Sequence, residues 1–261
     1  MALHVASVLH ARGITNIAIE NDWPTEIIAV KEIWLVGGDG TLNYFINKYP
    51  RLDIPIALFA GGTGNDFHWK LYGSIKLEQQ IDYVLQCGIR HTDLAKCNHR
   101  YFLNTLGIGF DGEVLKDMST ARMIGGHLGY LIIVVKKIFT YKEKEFHFSA
   151  DGVSFSKTCL LCNISNSSRT GGGFMVSPLA DIYDGYLNLL YCTSIGIWRR
   201  LIYLSKVEKG SHLSASSTTH MLAKKLSITS DQEVFYQLDG ELLKDKEFNI
   251  EIISGGMSIK A

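Results

Sequence analysis

Apolar positions in the first 90 residues predict short buried strands that alternate with helices. Helical spacing occurs near the amino end and again at residues 42–48 and 75–87, and residues 15–19 predict a short strand. Two further apolar runs of strand length, at 32–36 and 54–60, each end in a glycine-rich turn. A repeated order of strand, glycine turn and helix predicts a parallel α/β sheet that binds ligands at the carboxyl edge of its strands.

The pattern changes near residue 91, where short alternating segments begin, many of them separated by turns that contain Gly or Asp-Gly. These segments lie at 101–105, 145–150, 158–164, 186–192, 226–229, 234–238 and 248–253. They predict an antiparallel β domain, either a sandwich or a barrel. Helical segments at 126–140 and 195–209 interrupt it, and the glycine cluster at 125–129 is interpreted as a turn. We therefore expect an α/β domain at 1–91 and a β domain at 92–261, whose carboxyl end can return to the first domain.

The charge balance argues against nucleic acid as a partner, and the cysteine content indicates a reducing compartment. Lys plus Arg equals Asp plus Glu, at 26 each, so the chain has no overall field that would attract nucleic acid, and we expect none as a partner. The five cysteines form no regular framework in a chain of 261 residues and are expected to be reduced thiols. The longest apolar run, at 130–135, is far too short to span a bilayer. We expect a cytoplasmic protein.

Two glycine turns carry the candidate chemistry. The first, "GGDGTLN" at 37–43, follows a predicted strand and opens a helix, so its backbone N–H groups and the helix amino end can converge on a phosphate. The second, "GGTGND" at 61–66, follows the next strand. Turns that end successive strands of one sheet lie side by side, so the pair can hold a polyphosphate, with Asp39 and Asp66 directed at a metal ion.

Simpler interpretations of these turns remain open. The first can be a sharp turn of an α/β fold in which Asp39 caps the following helix. Asp184-Gly185 and Asp239-Gly240 each precede a strand-like run and can be plain hairpin turns. The segment "SRTGGGF" at 168–174 can be a flexible loop or a close-approach loop whose Arg169 is available to phosphate. The chain contains no Walker A motif and no protein-kinase signature.

The two turns together resemble the diacylglycerol kinase catalytic domain, in its bacterial soluble lipid-kinase branch, which is related to sphingosine and ceramide kinases. Further similar stretches follow in order: "NTLGIGFDGEV" at 104–114, "NSSRTGGGFMVSPLADIYDGYLNLL" at 166–190 and "QLDGE" at 237–241. NAD kinase shares the first turn only. The resemblance implies a Rossmann-like three-layer α/β domain of the NAD kinase/diacylglycerol kinase type, followed by an antiparallel β-sandwich, with ATP bound between them.

The resemblance also implies roles for particular residues. The nucleotide phosphates would be lined by the two turns, that is by Gly37, Gly38, Asp39, Gly40, Thr41, Asn43, Gly62, Thr63, Gly64, Asn65 and Asp66. Asp39 and Asp66 would belong to the network that holds catalytic Mg²⁺. A second, structural Mg²⁺ would be bound by Asp184, with backbone carbonyls near Asp181 and Tyr186, because oxygen ligands suit magnesium. The general base would lie in the D-G-E stretch; we favour Glu241, with Asp239 as its partner in the metal network.

The amino end departs from the family pattern. The family normally opens with a strand and an N-P-x-S-G-type loop at the nucleotide phosphates, and this chain has no such segment. The sequence is then either truncated or truly short of that strand, and in both cases part of the ATP site is expected to be missing.

A lipid kinase collects its substrate from a membrane surface, and the segment at 195–209 fits that requirement. Its apolar and basic residues are those of an interfacial amphipathic helix, or of a helix packed on the sandwich with snorkelling arginines. Residues 130–135 are a candidate wall for an acyl-chain slot.

Three functions follow from this sequence. The first is an ATP- and Mg²⁺-dependent lipid kinase acting on a diacylglycerol-like hydroxyl, with peripheral association at the inner membrane surface. The second is a non-catalytic relative that binds nucleotide or lipid, and the third is a small-molecule kinase of the NAD kinase type. A homodimer is left open.

Overall fold

The structure is a computed structural model that describes residues 1–50, 52–120 and 126–261. Its helices and strands alternate in the first third of the chain, and strands dominate the remainder. In chain order they are α1 (Ala2–Ala11), β1 (Ile33–Gly37), α2 (Asp39–Lys48), β2 (Ile56–Ala60), α3 (Asp66–Tyr72), α4 (Leu77–Gln86), β3 (Ile89–Cys97), β4 (Arg100–Phe102), β5 (Thr105–Ile108), α5 (Phe110–Thr120), α6 (Gly126–Thr140), β6 (Lys144–Ala150), β7 (Val153–Ser165), β8 (Leu187–Thr193), α7 (Ile197–Glu208), β9 (Thr218–Ala223), β10 (Lys225–Leu238) and β11 (Glu241–Lys260). Within these described ranges, no helix has the length and hydrophobicity needed to cross a bilayer.

The amino-terminal part is a small parallel sheet with helices packed on it. β1 and β2 pair in parallel from Ile33 opposite Ile56 to Gly37 opposite Ala60. β2 is buried along most of its length, which fits its apolar sequence and its helix cover. One apolar cluster packs α2 against the strands, around Leu42, and another packs α1 and α4 against them, around Phe59.

The remaining strands form antiparallel layers around a second core. β10 is the central strand, because it pairs with β11, β5 and β6. β7 pairs with β5, β6 and β8, and β9 completes that side. Inward side chains of these strands form the largest apolar cluster, in which Phe102, Phe146 and Phe248 are fully buried.

The long strand β11 joins the two parts of the chain. It pairs with β10 through its first half and with β3 from Ile250 onwards. Near its end, Ile259 pairs in parallel with Ile56 of β2, so the carboxyl end of the chain lies beside the first strands. The described strands therefore form one hydrogen-bonded network. The division of the chain after residue 91 stays a prediction.

Three helices, α5, α6 and α7, pack together on one side of the β layers. Val114 of α5, Val134 and Ile138 of α6 and the half-buried Leu204 of α7 share one apolar cluster. Arg200 of α7 is 7% exposed; its guanidinium donates to the carbonyls of Ile138 (2.9 Å) and Tyr141 (3.0 Å) and pairs with Glu143. Arg200 thus ties α7 to the end of α6 and does not belong to an outward basic face.

The predicted elements are confirmed where the apolar pattern was long, and wrong where local hydrogen bonds dominate. α6 spans the predicted residues, and α7 lies within its predicted range. Residues 15–19 form no strand, because no other strand pairs with them; Ile17 N–H instead donates to the Thr15 carbonyl. The predicted strand at 101–105 is split between β4 and β5, since the backbone N–H groups of Leu103 and Asn104 are turned to a side-chain carboxylate.

Other differences concern elements with weak apolar periodicity. Helices α3 and α5 and strands β3 and β9 were not predicted, and the predicted segments at 226–229 and 234–238 are one strand with an irregularity between them. The glycine cluster at 125–129 is not the expected turn over its described part, because α6 begins at Gly126. Gly125 lies outside the described residues, and Tyr130, which opens the predicted acyl-chain wall, has no described side chain.

Candidate active site

The two glycine turns lie against each other at the carboxyl ends of β1 and β2. Gly61 N–H donates to the Gly37 carbonyl (2.9 Å), which continues the strand pairing into the turns. A Cβ added at Gly62 would lie 2.7 Å from Gly38 Cα, and one added at Gly38 would lie 2.9 Å from Gly62 Cα. Both distances are below normal contact, so this approach of the two backbones requires glycine on each side.

The second turn is held closed by its own asparagine. Asn65 has φ of 51°, a left-handed conformation that asparagine adopts more readily than most residues. Its side chain accepts a hydrogen bond from Gly62 N–H (2.9 Å) and donates to the Gly62 carbonyl (2.7 Å). Asn65 therefore shapes the turn, and Thr63 and Gly64 between these residues line a cavity.

Asp39 connects the first turn to the helix that follows the second. Its two carboxylate oxygens accept the N–H groups of Asp66 (2.9 Å) and Phe67 (2.8 Å), the first two residues of α3. The expectation that Asp39 caps its own helix is therefore wrong: Gly38 is the N-cap of α2, and Asp39 caps α3. A carboxylate at a helix amino end is favoured by the helix dipole, and this contact fixes the spacing of the two turns.

Asp66 lies beside Asp39 and is almost fully buried, at 3% exposed. Its Oδ2 accepts Gly172 N–H (2.8 Å), and its Oδ1 lies 2.7 Å from Arg169 Nε, an ion pair whose angle is poor for a hydrogen bond. Burial raises the pKa of Asp66, and the charge of Asp39 adds to that rise, whereas the Gly172 hydrogen bond and Arg169 oppose it.

The loop at 168–174 is a close-approach loop, the second of the two interpretations left open by the sequence. Gly172 has φ of 79°, and a Cβ at this residue would lie 3.6 Å from Gly64 Cα. The Arg169 guanidinium stacks on the Trp69 ring, 4.9 Å from its centroid. The loop thus covers the second glycine turn and brings a cation to it.

Asp239 occupies the turn between β10 and β11 and organises the next part of the site. Its carboxylate accepts the N–H groups of Leu103 (2.6 Å), Asn104 (2.9 Å) and Thr105 (3.0 Å), and Asn43 Nδ2 (2.9 Å). Burial raises the pKa of Asp239, and these four donors oppose the rise. Asn43 therefore connects the first turn to Asp239, a contact between residues 196 positions apart that the sequence alone did not indicate.

Glu241 lies two residues further on, in different surroundings. Its side chain is about half exposed and pairs with Arg100, with 2.5 Å between Nη1 and Oε2. Asp239 and Gly240 line the cavity, whereas Glu241, the first residue of strand β11, is not one of its lining residues. The two carboxylates differ in how many donors they already bind: Asp239 accepts hydrogen bonds from four donors, whereas Glu241 pairs with one arginine.

The cavity that these residues enter has a volume of about 450 Å³ and two chemically distinct ends. Its polar end, called the mouth below, is lined by Asp39, Asp66 and Asp239, with Thr63, Asn104 and Thr170. Its interior is formed mainly by apolar side chains of the α5–α6–α7 group and β7, namely Phe110, Val114, Leu115, Met118, Val134, Ile138, Leu160, Leu161, Tyr203, Leu204 and Val207. An elongated ligand with a polar head and a hydrocarbon chain matches this distribution.

Two lining residues were not singled out by the sequence. Asn104 is 3% exposed, its Nδ2 approaches Asp39 Oδ1 (3.4 Å), and its own Oδ1 has no protein donor. Asp111, at the start of α5, accepts Asn163 Nδ2 at 3.5 Å, and burial raises its pKa to about 6. A buried acceptor without a donor is costly, which makes Asn104 a candidate for contact with a ligand. The motif "NTLGIGFDGEV" contains both residues, but no spacing in the sequence distinguishes them from the residues of the motif that only pack in the core.

The predicted structural metal position lies apart from these cavity residues. Asp184 Oδ1 accepts Tyr186 N–H (2.9 Å), and the neighbouring Asp93 is buried, with its oxygens on Gly185 N–H (2.6 Å) and Gly255 N–H (2.9 Å). Burial raises the pKa of Asp184, and the charges of Asp181 and Asp93 add to the rise. This crowding of carboxylates and the oxygen-only donor set fit a hard cation such as Mg²⁺.

The acidic mouth also fits a divalent cation. A Cβ at Gly64 would lie 3.2 Å from Asp39 Oδ2 and 3.5 Å from Asp66 Oδ2, so two carboxylate oxygens flank this glycine. Across the part of the chain that the structure describes, no three His, Cys, Asp or Glu side chains are grouped as metal ligands. A cation at either position would therefore complete its shell with backbone carbonyls, water or ligand phosphates.

Comparisons with known proteins agree with this geometry. Residues 9–97 match the model of the diacylglycerol kinase catalytic domain, and residues 104–260 match that of the YegS C-terminal NAD kinase beta sandwich-like domain. A Staphylococcus aureus protein (strain Newman) named "Putative lipid kinase" is 27% identical over 236 residues, which cover 87% of this chain and 76% of that protein.

Solved structures show the same likeness. A crystal structure of "a putative diacylglycerol kinase from Bacillus anthracis str. Sterne" has a TM-score of 0.71 at 26% identity and covers 88% of this chain and 77% of that one. An NAD kinase from Archaeoglobus fulgidus in complex with ATP has a TM-score of 0.61 at 15% identity, covering 100% and 89%, and shows the fold alone. The expected fold class, a Rossmann-like α/β part of this type followed by a β-sandwich, is confirmed.

Proposed function

The chain belongs to the diacylglycerol kinase-like family of lipid kinases, and from this premise we propose that it is an ATP- and Mg²⁺-dependent kinase that phosphorylates a hydroxyl of a diacylglycerol-like lipid. One observation carries the proposal: a single cavity runs from the acidic glycine turns into an apolar interior. The polar end suits a phosphoryl donor and its cation, and the apolar end suits the chain of a lipid acceptor.

The nucleotide phosphates bind at the paired turns in this proposal. Gly38, Gly40 and Thr41 lie at the amino end of α2, and Gly62 to Gly64 lie opposite them. Backbone N–H groups and helix amino ends favour phosphate, and the absence of side chains at Gly38 and Gly62 lets oxygens approach the backbone. Asn65 holds its turn in shape by hydrogen bonds to Gly62, and Gly37 leaves the space that the Thr41 side chain occupies, since a Cβ at Gly37 would lie 2.4 Å from Thr41 Oγ1.

Magnesium, when bound, neutralises phosphate charge during transfer. Asp39 and Asp66 are the residues that would hold it at the mouth, because their oxygens flank Gly64. Asp184, with carbonyls near Asp181 and Tyr186, would hold a second ion with a structural role. Arg169 adds a positive charge beside Asp66, where it is available to a phosphate oxygen.

The acceptor hydroxyl needs a base in this reaction. Its oxygen forms the new bond to the γ-phosphorus, the bond from that phosphorus to the ADP oxygen breaks, and the hydroxyl proton passes to a carboxylate. Glu241 is the better base, because four donors already engage Asp239. Asp239 positions the backbone of residues 103–105 and the side chain of Asn43, and through them the wall of the mouth.

The lipid reaches the cavity from a membrane surface in this proposal. The outer face of α6 and α7 exposes apolar side chains, including Trp198 (75% exposed) and Ile202 (61% exposed), while the inner face of the same helices lines the cavity. Phe139 packs against Trp198 with 5.9 Å between ring centroids. This outer face is suited to the interfacial zone of a bilayer, with peripheral attachment.

A transfer assay tests the proposal. The purified chain is incubated with γ-labelled ATP, Mg²⁺ and vesicles that contain 1,2-dioleoylglycerol, and labelled phosphatidic acid is measured. We expect Mg²⁺-dependent product that is lost in Asp39→Ala and Glu241→Gln, and retained in Asp231→Asn, whose side chain is 88% exposed near the β10 irregularity. NAD and water are assayed as competing acceptors. Labelled product from NAD but not from lipid would contradict the proposed function. Equal rates of Glu241→Gln and the unmodified chain would contradict the assignment of Glu241 as the base.

A further inference from the structure

The apolar interior of the cavity contains one carboxylate, that of Asp111, among the described lining residues. Arg200 also lines the cavity, but its guanidinium is already bound to two carbonyls and to Glu143. The remaining interior side chains are apolar or aromatic, and most of them come from α5, α6, α7 and β7. An acidic group at this position is unusual, because burying a charge costs free energy unless a partner compensates it.

Besides the amino end of α5, in whose first turn Asp111 lies, one weak side-chain hydrogen bond compensates this carboxylate. Asp111 lies over Gly107 of β5, so closely that a Cβ at Gly107 would be 2.2 Å from Asp111 Oδ2. Its hydrogen bond from Asn163 Nδ2 measures 3.5 Å, at the limit for such a bond, and Asn163 is itself fully buried. The hydroxyl of Tyr141, held near the neighbouring Gly109, is also buried and has no partner. Two polar groups without adequate partners therefore lie close to the cavity wall.

Asp111 lies between the mouth and the hydrocarbon end. Asn104, which approaches Asp39 at the mouth, immediately precedes β5 and lies three residues before Gly107 of that strand, a separation of at most about 10 Å at the rise of a β-strand. The next turns of α5 carry Val114, Leu115 and Met118 into the apolar interior. A lipid whose reacting hydroxyl is at the mouth would thus bring its linker region, rather than its chain end, to Asp111.

We infer that Asp111 selects the acceptor lipid by accepting a hydrogen bond from a second donor in its headgroup or linker, a free hydroxyl or amide N–H within about 10 Å of the hydroxyl that is phosphorylated. This inference rests on the proposed lipid-kinase function and deepens it. A carboxylate can only accept, so it favours lipids that donate here and leaves the charge uncompensated when the lipid presents only esters. 1,2-Diacylglycerol, whose single free hydroxyl is the one that is phosphorylated, is then a poorer ligand than a lipid that retains a second donor.

Two matched pairs of lipids test the inference. The first is 1-oleoylglycerol against 1-oleoyl-propane-1,3-diol, which lacks only the central hydroxyl; the second is ceramide against 1,2-dioleoylglycerol. Binding is measured in detergent micelles without ATP, and turnover is measured separately with ATP and Mg²⁺. A hydrogen bond to a charged acceptor predicts a preference of about tenfold or more for the donor-bearing lipid of a pair.

The variants assign the preference to this side chain. Asp111→Leu is expected to abolish the preference and to improve binding of the lipid without the donor. Asp111→Asn retains an acceptor oxygen, so we expect an affinity ratio between the two lipids that is intermediate between those of Asp111→Leu and the unmodified chain. Met118→Leu, an apolar change in the same cavity wall, is expected to leave the ratio unaltered. Thermal unfolding of each variant checks that it is folded.

The outcomes separate this inference from the proposed function. No preference in either pair with the unmodified chain, or a preference that survives in Asp111→Leu, overturns the inference even if phosphorylation is robust. A preference that depends on Asp111 in the binding assay supports it even if no labelled product forms, in which case only the proposed phosphoryl transfer fails. Absence of binding by all four lipids overturns it.

Discussion

Replacing Asp111 by asparagine is expected to stabilise the protein at neutral pH. Burial raises the pKa of Asp111 from its usual 3.8 to about 6, because the cavity and β5 replace water around the carboxylate. Each unit of difference between folded and unfolded pKa corresponds to about 1.4 kcal/mol. The charged carboxylate therefore costs about 2–3 kcal/mol at pH 7, after allowance for water in the cavity.

The sign of the pH dependence follows from this direction. Below pH 3.8 the side chain is protonated in both states, so the Asp111→Asn substitution changes little. Between pH 3.8 and 6 the unfolded chain releases its proton first, and the stability of the unmodified protein falls relative to the variant. Above pH 6 the difference is constant at its full value. The many other carboxylates are common to both proteins and cancel in the comparison.

Urea denaturation measured from pH 4 to pH 8 tests this reasoning. With a slope of about 2–3 kcal/mol per molar, the variant should unfold at a urea concentration about 1 M higher at pH 7 and at nearly the same concentration at pH 4. Asp231→Asn, at an exposed position, serves as the matched control and should shift neither midpoint. A stability difference that does not change between pH 4 and pH 7, or a variant less stable at pH 7, would refute the account of Asp111 as a partly buried, weakly compensated charge.

Three further predictions concern the turns, the helix group and the membrane face. Gly62→Ala places a Cβ 2.7 Å from Gly38 Cα and should lower the free energy of unfolding by about 1–3 kcal/mol and weaken ATP binding in calorimetry, whereas Gly40→Ala, with open space around its Cβ, should not lower that free energy. Arg200→Met leaves Glu143 and two carbonyls without their donor and should lower stability by about 3 kcal/mol in urea denaturation, compared with a small effect of the exposed Arg199→Met. Trp198→Glu should reduce sedimentation of the protein with anionic vesicles, whereas Leu222→Glu on β9 should not. Both variants should keep the turnover of micellar lipid. Equal sedimentation of the two variants would refute the assignment of the membrane face.

The glycine turns were predictable from the sequence because their cause is local. A glycine-rich turn after a buried strand determines its own geometry, and two such turns after neighbouring parallel strands must share an edge. The closeness of Gly38 and Gly62 is the result. The roles of the carboxylates were less predictable, since Asp39 caps a helix that begins 27 residues later, a contact that depends on tertiary structure.

Elements missed by the sequence share a different cause. Strand β3 has the exposed polar residues Arg90 and His91 at its start and relies on pairing with β11, more than 150 residues away, for its conformation. The break between β4 and β5 is imposed by Asp239, which takes three consecutive N–H groups that a continuous strand would use. Such long-range hydrogen bonds leave no periodic signal in the local sequence.

The same long-range contacts explain why the site is one unit although it is assembled from distant parts of the chain. Asp39 holds α3, Asp66 holds the loop at Gly172, and Asp239 holds both residues 103–105 and Asn43. Each carboxylate therefore bridges two segments by accepting backbone N–H groups, and each loses part of this role if it is protonated or replaced. A carboxylate used in this way is positioned before any cation arrives, so cation and phosphate binding need little further ordering of the backbone. The structure thus predicts that substitutions of Asp39 or Asp239 will loosen the mouth as well as remove charge, and that Asn at these positions, which retains one acceptor oxygen, will preserve the fold better than Ala.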